Sequence, residues 1–415
     1  MNLLSFPTLV EAPFIIVKIG NYTFGKYSSK GEIAQTGIPV KVMYPNYMHS
    51  INVTKINGAV NIYTIKMIYA ITEGDDPNFF EKVFGSVSKT RKITISYGDW
   101  NSPSFIYREE TAIITKVQSS VDFSGSSISY TISCTSDSLS LRGNSYNFPA
   151  YKSKKPSDVI WQLLNNKSYG LTNIFTGMRD LQKVKKQKLI ANNDKAVTIE
   201  AKNKVNILDY LNYLVNCMVP LNTTGDSTMS SARYYLTIVD DIKNALNGSY
   251  FKVTPVIVGD TTTSGTDIFE ADIGYPSNNL VTSFSLNNDE SWAILYNYSE
   301  KLNQSEYTYR LNDDGALVSE YSPNLITSAT MQTPTQALKT WWSNMTQFPI
   351  TATMTLKGLV RPAILMSKVK VNVYFYGQKH IASGIYIITK QVDTVDSSGY
   401  KTVLTLTRIG GDKLK

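Results

Sequence analysis

The sequence predicts an α+β chain that is mainly β: two antiparallel β domains related by duplication, with a small α+β insert between them. Three observations carry this. First, Pro349 to Ile409 alternates between apolar and polar residues over most of its length. A period of two puts Val369, Val371 and Val373 on one face of a strand and Lys368, Lys370 and Asn372 on the other. Turns at Ser383-Gly384 and Ser397-Ser398-Gly399 separate further alternating runs, an antiparallel meander with one buried and one wet face. Second, the last hairpin has an upstream counterpart at a constant offset of 274 residues. Ile113–Lys116 matches Ile387–Lys390, Val121-Asp122 matches Val395-Asp396, Ser124-Gly125 matches Ser398-Gly399, and Thr131 matches Thr405, with no gap needed. A chain rich in Ile, Thr, Ser and Val produces chance matches, but a shared turn in register with two strands favours duplication. Third, the period between these regions changes from two to helical.

Each element follows from local chemistry. Phe14 to Ile19 is an apolar strand ending at Gly20-Asn21. Ile51, Val53 and Ile56 lead to Asn57-Gly58, a strong hairpin signal, and Ile62 to Ile71 is the return strand. Glu73 to Asn78 is a turn; its paired aspartates lack the further carboxylates a calcium loop needs, so turn chemistry is preferred to metal. Asn78 to Phe84 forms a short helix, and Lys92 to Tyr97 alternates. Ala112 to Val121 and Ser127 to Cys134 form the closing hairpin of this first domain.

Near Asn147-Phe148-Pro149 the pattern switches. Lys155-Pro156-Ser157-Asp158 opens a helix, with proline in the first turn and an acid near the positive end of its dipole. Val159, Ile160, Leu163 and Leu164 share its apolar face. Asn206 caps a second helix whose stripe is Ile207, Leu208, Leu211, Leu214, Val215 and Met218; Pro220 ends it. Ala196 to Ala201 reads as a strand between them. Residues 221–231 form a polar linker, Tyr234 to Val239 a strand, and Gly259 to Thr266 a loop. Val281 to Leu286 and Ala293 to Tyr298 are strands, residues 310–335 are polar and poorly periodic, and Thr335 to Met345 forms a short helix. The expected division is therefore a first β domain at 1–146, an α+β insert at 147–220, a mixed β region at 221–335, and the closing strands of a second β domain at 336–415.

Composition limits the function classes. Apolar content of 42% in 415 residues is ample for packed cores, and 27 tyrosines with abundant Ser, Thr, Asn, Ile and Val favour strands over helices. Net charge is +8 with a pI near 9.0, but the excess is spread out. The one dense basic run, Lys183 to Lys188, has no nucleic-acid motif beside it and reads as a solvated face. Cys134 falls in a strand and Cys217 in a helix, two buried thiols rather than a disulfide scaffold or a zinc site. The start, MNLLSFPTLVEAPF, lacks a charged signal-peptide region, and no apolar run reaches the ~18 residues of a spanning helix. The expectation is a soluble chain made in a cytoplasm, without sequons of consequence.

No catalytic constellation, cofactor motif or metal-ligand spacing is present. The two histidines, His49 and His380, sit beside turns or strand ends with no Cys or carboxylate at suggestive spacing. Glu109-Glu110 and Asp240-Asp241 are paired acids, but neighbours in a strand point to opposite faces and do not flank one bond.

Several stretches together resemble bacteriophage baseplate (tail) hub proteins. These are Pro349–Ala352 running into Leu356–Gly358, Ser383–Ile388, Gly399–Leu404, the helix start Lys155–Ile160, and the helix from Ile207 to Met218. About half the chain is covered, by structural glycines, turns and apolar positions. The resemblance implies two tube-like β-barrel domains per chain, and a homotrimer whose six barrels form a ring. That ring joins a tail tube or tube-initiator protein to a central spike protein, among other baseplate proteins. DNA would pass transiently through its lumen, where weak contacts suit transit. The implied location is the virion tail baseplate, after synthesis in the host cytoplasm. The chain stops at Lys415 without a spike extension, so the spike is expected to be a separate protein. Alternatives are the hub of a bacterial contractile injection system, a cell-wall glycan-binding β module using Trp341 and Trp342, and a tail-associated hydrolase. Scarce His and Cys weigh against the last, and the expectation is a non-enzyme.

Overall fold

The computed structural model describes residues 13–27, 47–99 (except 74 and 86–90), 107–179 (except 123), 189–218 (except 192) and 232–257 (except 243–245 and 247). It also describes 268–274, 281–288, 298–302, 305–311, 317–321, 350–357 and 365–410 (except 381).

The first half holds β1 (Pro13–Ile19), β2 (Tyr22–Tyr27), β3 (Met48–Ile56), β4 (Ile62–Ala70), α1 (Phe79–Gly85), β5 (Lys92–Asp99), β6 (Tyr107–Val121) and β7 (Ser127–Ser136). They lie in the order β2-β1-β5-β6-β7-β4-β3, antiparallel throughout. Alternation decides which side is buried. Ile51 and Val53 of β3, Tyr63, Ile65 and Met67 of β4, and Ile93, Ile95 and Tyr97 of β5 form one core with Ile132 and Cys134. Helix α1 closes that core by inserting Phe80, whose ring lies 4.5 Å from Tyr130 and 5.5 Å from Phe24.

The insert comprises β8 (Ser145–Phe148), β9 (Tyr151–Lys154), α2 (Pro156–Asn165), β10 (Val197–Ile199), β11 (Lys202–Asn206), α3 (Ile207–Asn216), β12 (Ala232–Val239) and β13 (Tyr250–Ile257). Pro156 stands in the first turn of α2, and the Asn206 side chain accepts the Asp209 backbone N–H at 2.9 Å to cap α3. Helix α3 ends at Asn216, short of Pro220, and Cys217 is its C-cap rather than an interior residue. The α2 and α3 stripes pack with Leu236, Ile238, Phe251 and Val253 of the β12–β13 hairpin in one core. A boundary at 220 therefore cuts through a packed unit: the apolar faces of β12 and β13 are what cover the helices.

The second half holds β14 (Ile268–Ile273), β15 (Val281–Asn288), β16 (Tyr298–Leu302), β17 (Ser305–Leu311), β18 (Leu317–Tyr321), β19 (Ile350–Leu356), β20 (Lys368–Phe375), β21 (Gln378–Lys379), β22 (Gly384–Asp396) and β23 (Gly399–Gly410). Strands β16–β18 form a separate antiparallel sheet and fall partly in the region expected to be poorly periodic. Strands β15-β19-β23-β22-β20 lie in that order, antiparallel. Position for position this repeats β3-β4-β7-β6-β5, in the same chain order. Both long hairpins carry a register shift at the same place, between Ile114 and Lys116 and between Ile388 and Lys390.

Two details differ from expectation. The hairpins do not align without a gap. After Asp122 the loop spans residues 123–126, against Ser397-Ser398 alone in the second hairpin, so the return strands are offset by two residues fewer than the outgoing ones. Nor is the wet face of β20 uniformly wet. Strand β14 pairs β20 in parallel, and Asn372 is buried with its amide donating to Asp272 Oδ1 at 2.8 Å.

The two halves share one 14-stranded sheet. The first part of β22 pairs β20; its second part, Lys390 to Val395, leaves that partner and pairs Ile56 to Ile51 of β3. Val395 and Tyr400 then complete the core of the first half.

Candidate functional site

Two features stand out on this scaffold: a buried polar junction where the units meet, and strand edges that no described strand pairs.

The junction forms around the β3–β4 connection. Asn57-Gly58 is not a two-residue hairpin turn; the connection runs to Asn61 and docks on the insert. Gly58, at φ +66°, donates its N–H to Leu236 O at 2.8 Å, and its carbonyl accepts from Asn212 Nδ2 at 2.9 Å. A Cβ there would meet Asn212 Oδ1 at 2.6 Å and push that side chain aside, and the positive φ itself favours glycine. Strand β12 then delivers Asp240-Asp241 against β6: Asp241 bridges Glu110, and the Ile242 N–H donates to Glu109 O at 2.8 Å.

The result is a cluster of charges out of contact with water. Glu110, fully buried, takes Lys55 Nζ, the Tyr63 hydroxyl and the Tyr97 hydroxyl (3.2 Å). Asp240, 3% exposed, accepts from Asn61 Nδ2 at 2.8 Å. Burial, and then the Glu110 charge, push the Asp240 carboxyl up to about 7. Burial and then Asp241 raise Glu109, and burial and then Glu110 raise the Tyr63 phenol. Asn61 Oδ1, Asp240 Oδ1 and Gln391 Oε1 are buried acceptors with no donor among the described residues. They border a cavity of about 10 Å³ with Lys55, Thr237, Asp241 and Leu365, the size of a single water site. A protonated Asp240 supplies a donor to a cluster rich in acceptors.

The sequence places Glu109 and Glu110 on opposite faces of β6, as alternation requires. What it missed is that Glu110 meets Asp240, and Glu109 meets Asp241, across more than a hundred residues. No local signal marks that pairing. Among the described residues the space these acids line is about 10 Å³, with no room for a polymer substrate.

The other singled-out residues lie elsewhere. His49 is exposed at the start of β3. His380, also exposed, accepts the Ala382 N–H through Nδ1 at 3.2 Å, and Phe375 lies edge-on to its ring at 5.1 Å. Cys134 is buried in β7 and its thiol is pushed up to about 12 by desolvation; Cys217 is half-buried, and the two are unpaired. Among the described residues no group of His, Cys, Asp and Glu is set to hold a metal, and no helix is long and apolar enough to cross a membrane. Lys183–Lys188, Gly259–Thr266, residues 293–297, and the Thr335–Met345 stretch with Trp341 and Trp342 lie outside the described residues.

Among the described residues, β15 and β6 beyond Ile113 have a strand partner on one side, as do β2 at the other end of the sheet order and β14 beside β20. Strand β6 pairs β5 only as far as Ile113, and beyond the register shift residues 115–121 are exposed. Strand β15 ends the sheet order and pairs β19 on one side.

No protein-family model and no curated protein matches the chain. Solved structures do. A tail protein from Neisseria meningitidis superposes with a TM-score of 0.52 at 10% identity, covering 95% of this chain and 96% of that one. A 43 kDa tail protein of prophage MuSo2 from Shewanella oneidensis gives 0.52 at 11% identity, over 95% and 98%. The fold is that of phage tail proteins. At such identity the shared property is the fold alone.

Proposed function

We propose that the chain is the hub of a phage tail baseplate, a structural virion protein. Three copies close into a ring of six β units that joins a tail tube, or its initiator, to a central spike, with other baseplate proteins around it and DNA passing through the lumen. The observation that carries the reading is the repeated five-strand order with its register shift at the same position in each half. One chain thereby offers two similar but unequal β units, which lets threefold closure coexist with sixfold stacking. The full-length likeness of fold to phage tail proteins supports the same reading. In the proposed role each half is a tube-like barrel arising by duplication, and the chain is not an enzyme. The buried acids at the junction serve cohesion between units.

Light scattering over a concentration series tests this. The expected mass is three times 46.3 kDa, about 139 kDa, alone or on adding a tail-tube or spike partner, since a partner selects the assembled state by mass action. A chain that stays monomeric with both partners present overturns the hub. Turnover in a cell-wall digestion assay overturns the non-enzymatic part.

A further inference from the structure

Among the described residues, Lys55 and Glu110 pair where water does not reach. Lys82–Asp76, Lys92–Asp137 and Lys202–Glu200 pair at the surface, each side chain between 28% and 67% exposed. For Lys55 and Glu110 the figures are 10% and 0%. The two strands are not neighbours in the sheet, since β4 and β7 lie between β3 and β6. The pair therefore meets across the core rather than along a ladder. An amine held against a carboxyl group in a dry core is the reactant pair of an amide bond. Three donors fix that carboxyl group in place. Lys55 Nζ and the Tyr97 hydroxyl (3.2 Å) reach Oε1, and the Tyr63 hydroxyl reaches Oε2. Such fixed contact between reacting groups replaces a bimolecular encounter. Asp240 borders the same cavity as Lys55. Its carboxyl, pushed up to about 7 by burial and then by Glu110, can take a proton and return it near neutral pH.

We infer that Lys55 and Glu110 condense within the folded chain to an isopeptide bond, with Asp240 relaying the protons. Nζ attacks Cδ of Glu110; the N–C bond forms and the C–Oε1 bond breaks. Nζ gives up two of its three protons through Asp240. Both end on Oε1, which leaves as water, and the amide nitrogen keeps the third. The step balances without oxidant, reductant or further reactant, because one cation and one anion become a neutral amide and a water. Tyr63 donates to Oε2, where negative charge gathers in the tetrahedral intermediate. The cavity of about 10 Å³ beside Lys55 is the size of the one water released. The bond removes a buried charge pair, whose desolvation is unfavourable. It also closes a loop between positions 55 apart in sequence, which restricts the unfolded chain. The strands it ties are the one that carries β22 and the one that receives Asp241. This inference does not rest on the hub reading and stands or falls separately.

The test is the mass of the full chain, purified folded and then denatured for mass spectrometry. The expected mass is that of the sequence less one water. Trypsin should no longer cut after Lys55, and the digest should hold one branched peptide joining residues 42–66 to residues 109–116. Lys55→Arg keeps the charge but not the amine, and is expected to show the full mass and no branched peptide. Asp240→Asn, checked for wild-type far-UV circular dichroism, is expected to slow the loss of water ~100-fold in freshly translated chain. Wild-type chain of full mass overturns the bond, whatever the variants do. A missing water that maps to any other pair of residues overturns it as well. Water loss at the wild-type rate in Asp240→Asn overturns the relay.

Discussion

Single residues at the junction carry charge that water does not reach. Lys55, 8% exposed, neutralises fully buried Glu110. Removing one partner of such a pair leaves an uncompensated charge, so Lys55→Met is expected to cost ~3–5 kcal/mol in urea unfolding, and adding Glu110→Gln should recover most of it. Asp240 sets a pH dependence. Its carboxyl titrates near 7 when folded and near 3.8 when unfolded. Between those values the folded chain keeps a proton the unfolded chain has lost, so the stabilisation is full below about pH 4 and drains away as pH rises to 7. Melting temperature should fall for wild type relative to Asp240→Asn between pH 5 and 8, by an amount worth a few kcal/mol at most. Parallel curves would mean that Asp240 is not the group holding the proton.

At the scale of elements, the insert is held by caps and by one tight loop. Asn206→Ala removes the acceptor for the Asp209 N–H and should cost ~1 kcal/mol without moving α3. Gly58→Ala sets a Cβ 2.6 Å from Asn212 Oδ1 at φ +66°, and ~1–3 kcal/mol of destabilisation is expected from strain and close contact together. Adding Asn212→Ala removes the contact but also the Nδ2 hydrogen bond to the Gly58 carbonyl and leaves the φ unchanged, so stability should not return; full recovery in denaturant melts would show that the backbone is unstrained. Elements of this kind were legible in the sequence. Alternation gave β4, β5, β7 and β20, and the Lys155-Pro156 and Asn206 signals gave the starts of α2 and α3, because each depends on a few neighbouring residues. Asn57-Gly58 misled for the same reason: its chemistry permits a tight turn, but the hydrogen bonds it makes are to Leu236 and Asn212, far along the chain.

For the whole molecule, the internal seam between β22 and β3 predicts where backbone protection should be continuous and where it should alternate. In residues 116–121 and 283–287 the amides bonded to β7 and β19 should exchange slowly with deuterium and the intervening ones quickly in dilute chain. Amides of 391–395 lie between β3 and β23 and should all be slow. Slow exchange at every position of all three segments would mean that β6 and β15 have further partners within one chain.

The sequence by itself determined the β-rich class, the two longer insert helices and the likeness of the last hairpin to the one ending near Ser136, since periodicity, caps and internal matches are properties of adjacent residues. Only the tertiary structure decided the rest. It joined β12 and β13 to the insert core, because exposed helix stripes needed covering. It also set the two-residue difference between the hairpin turns and buried Asn372 under β14. It brought Lys55, Glu110 and Asp240 into one desolvated cluster, because strands distant in sequence become neighbours only when sheet order is fixed. And it divided β22 between two partners, β20 and β3, which makes the two halves one sheet.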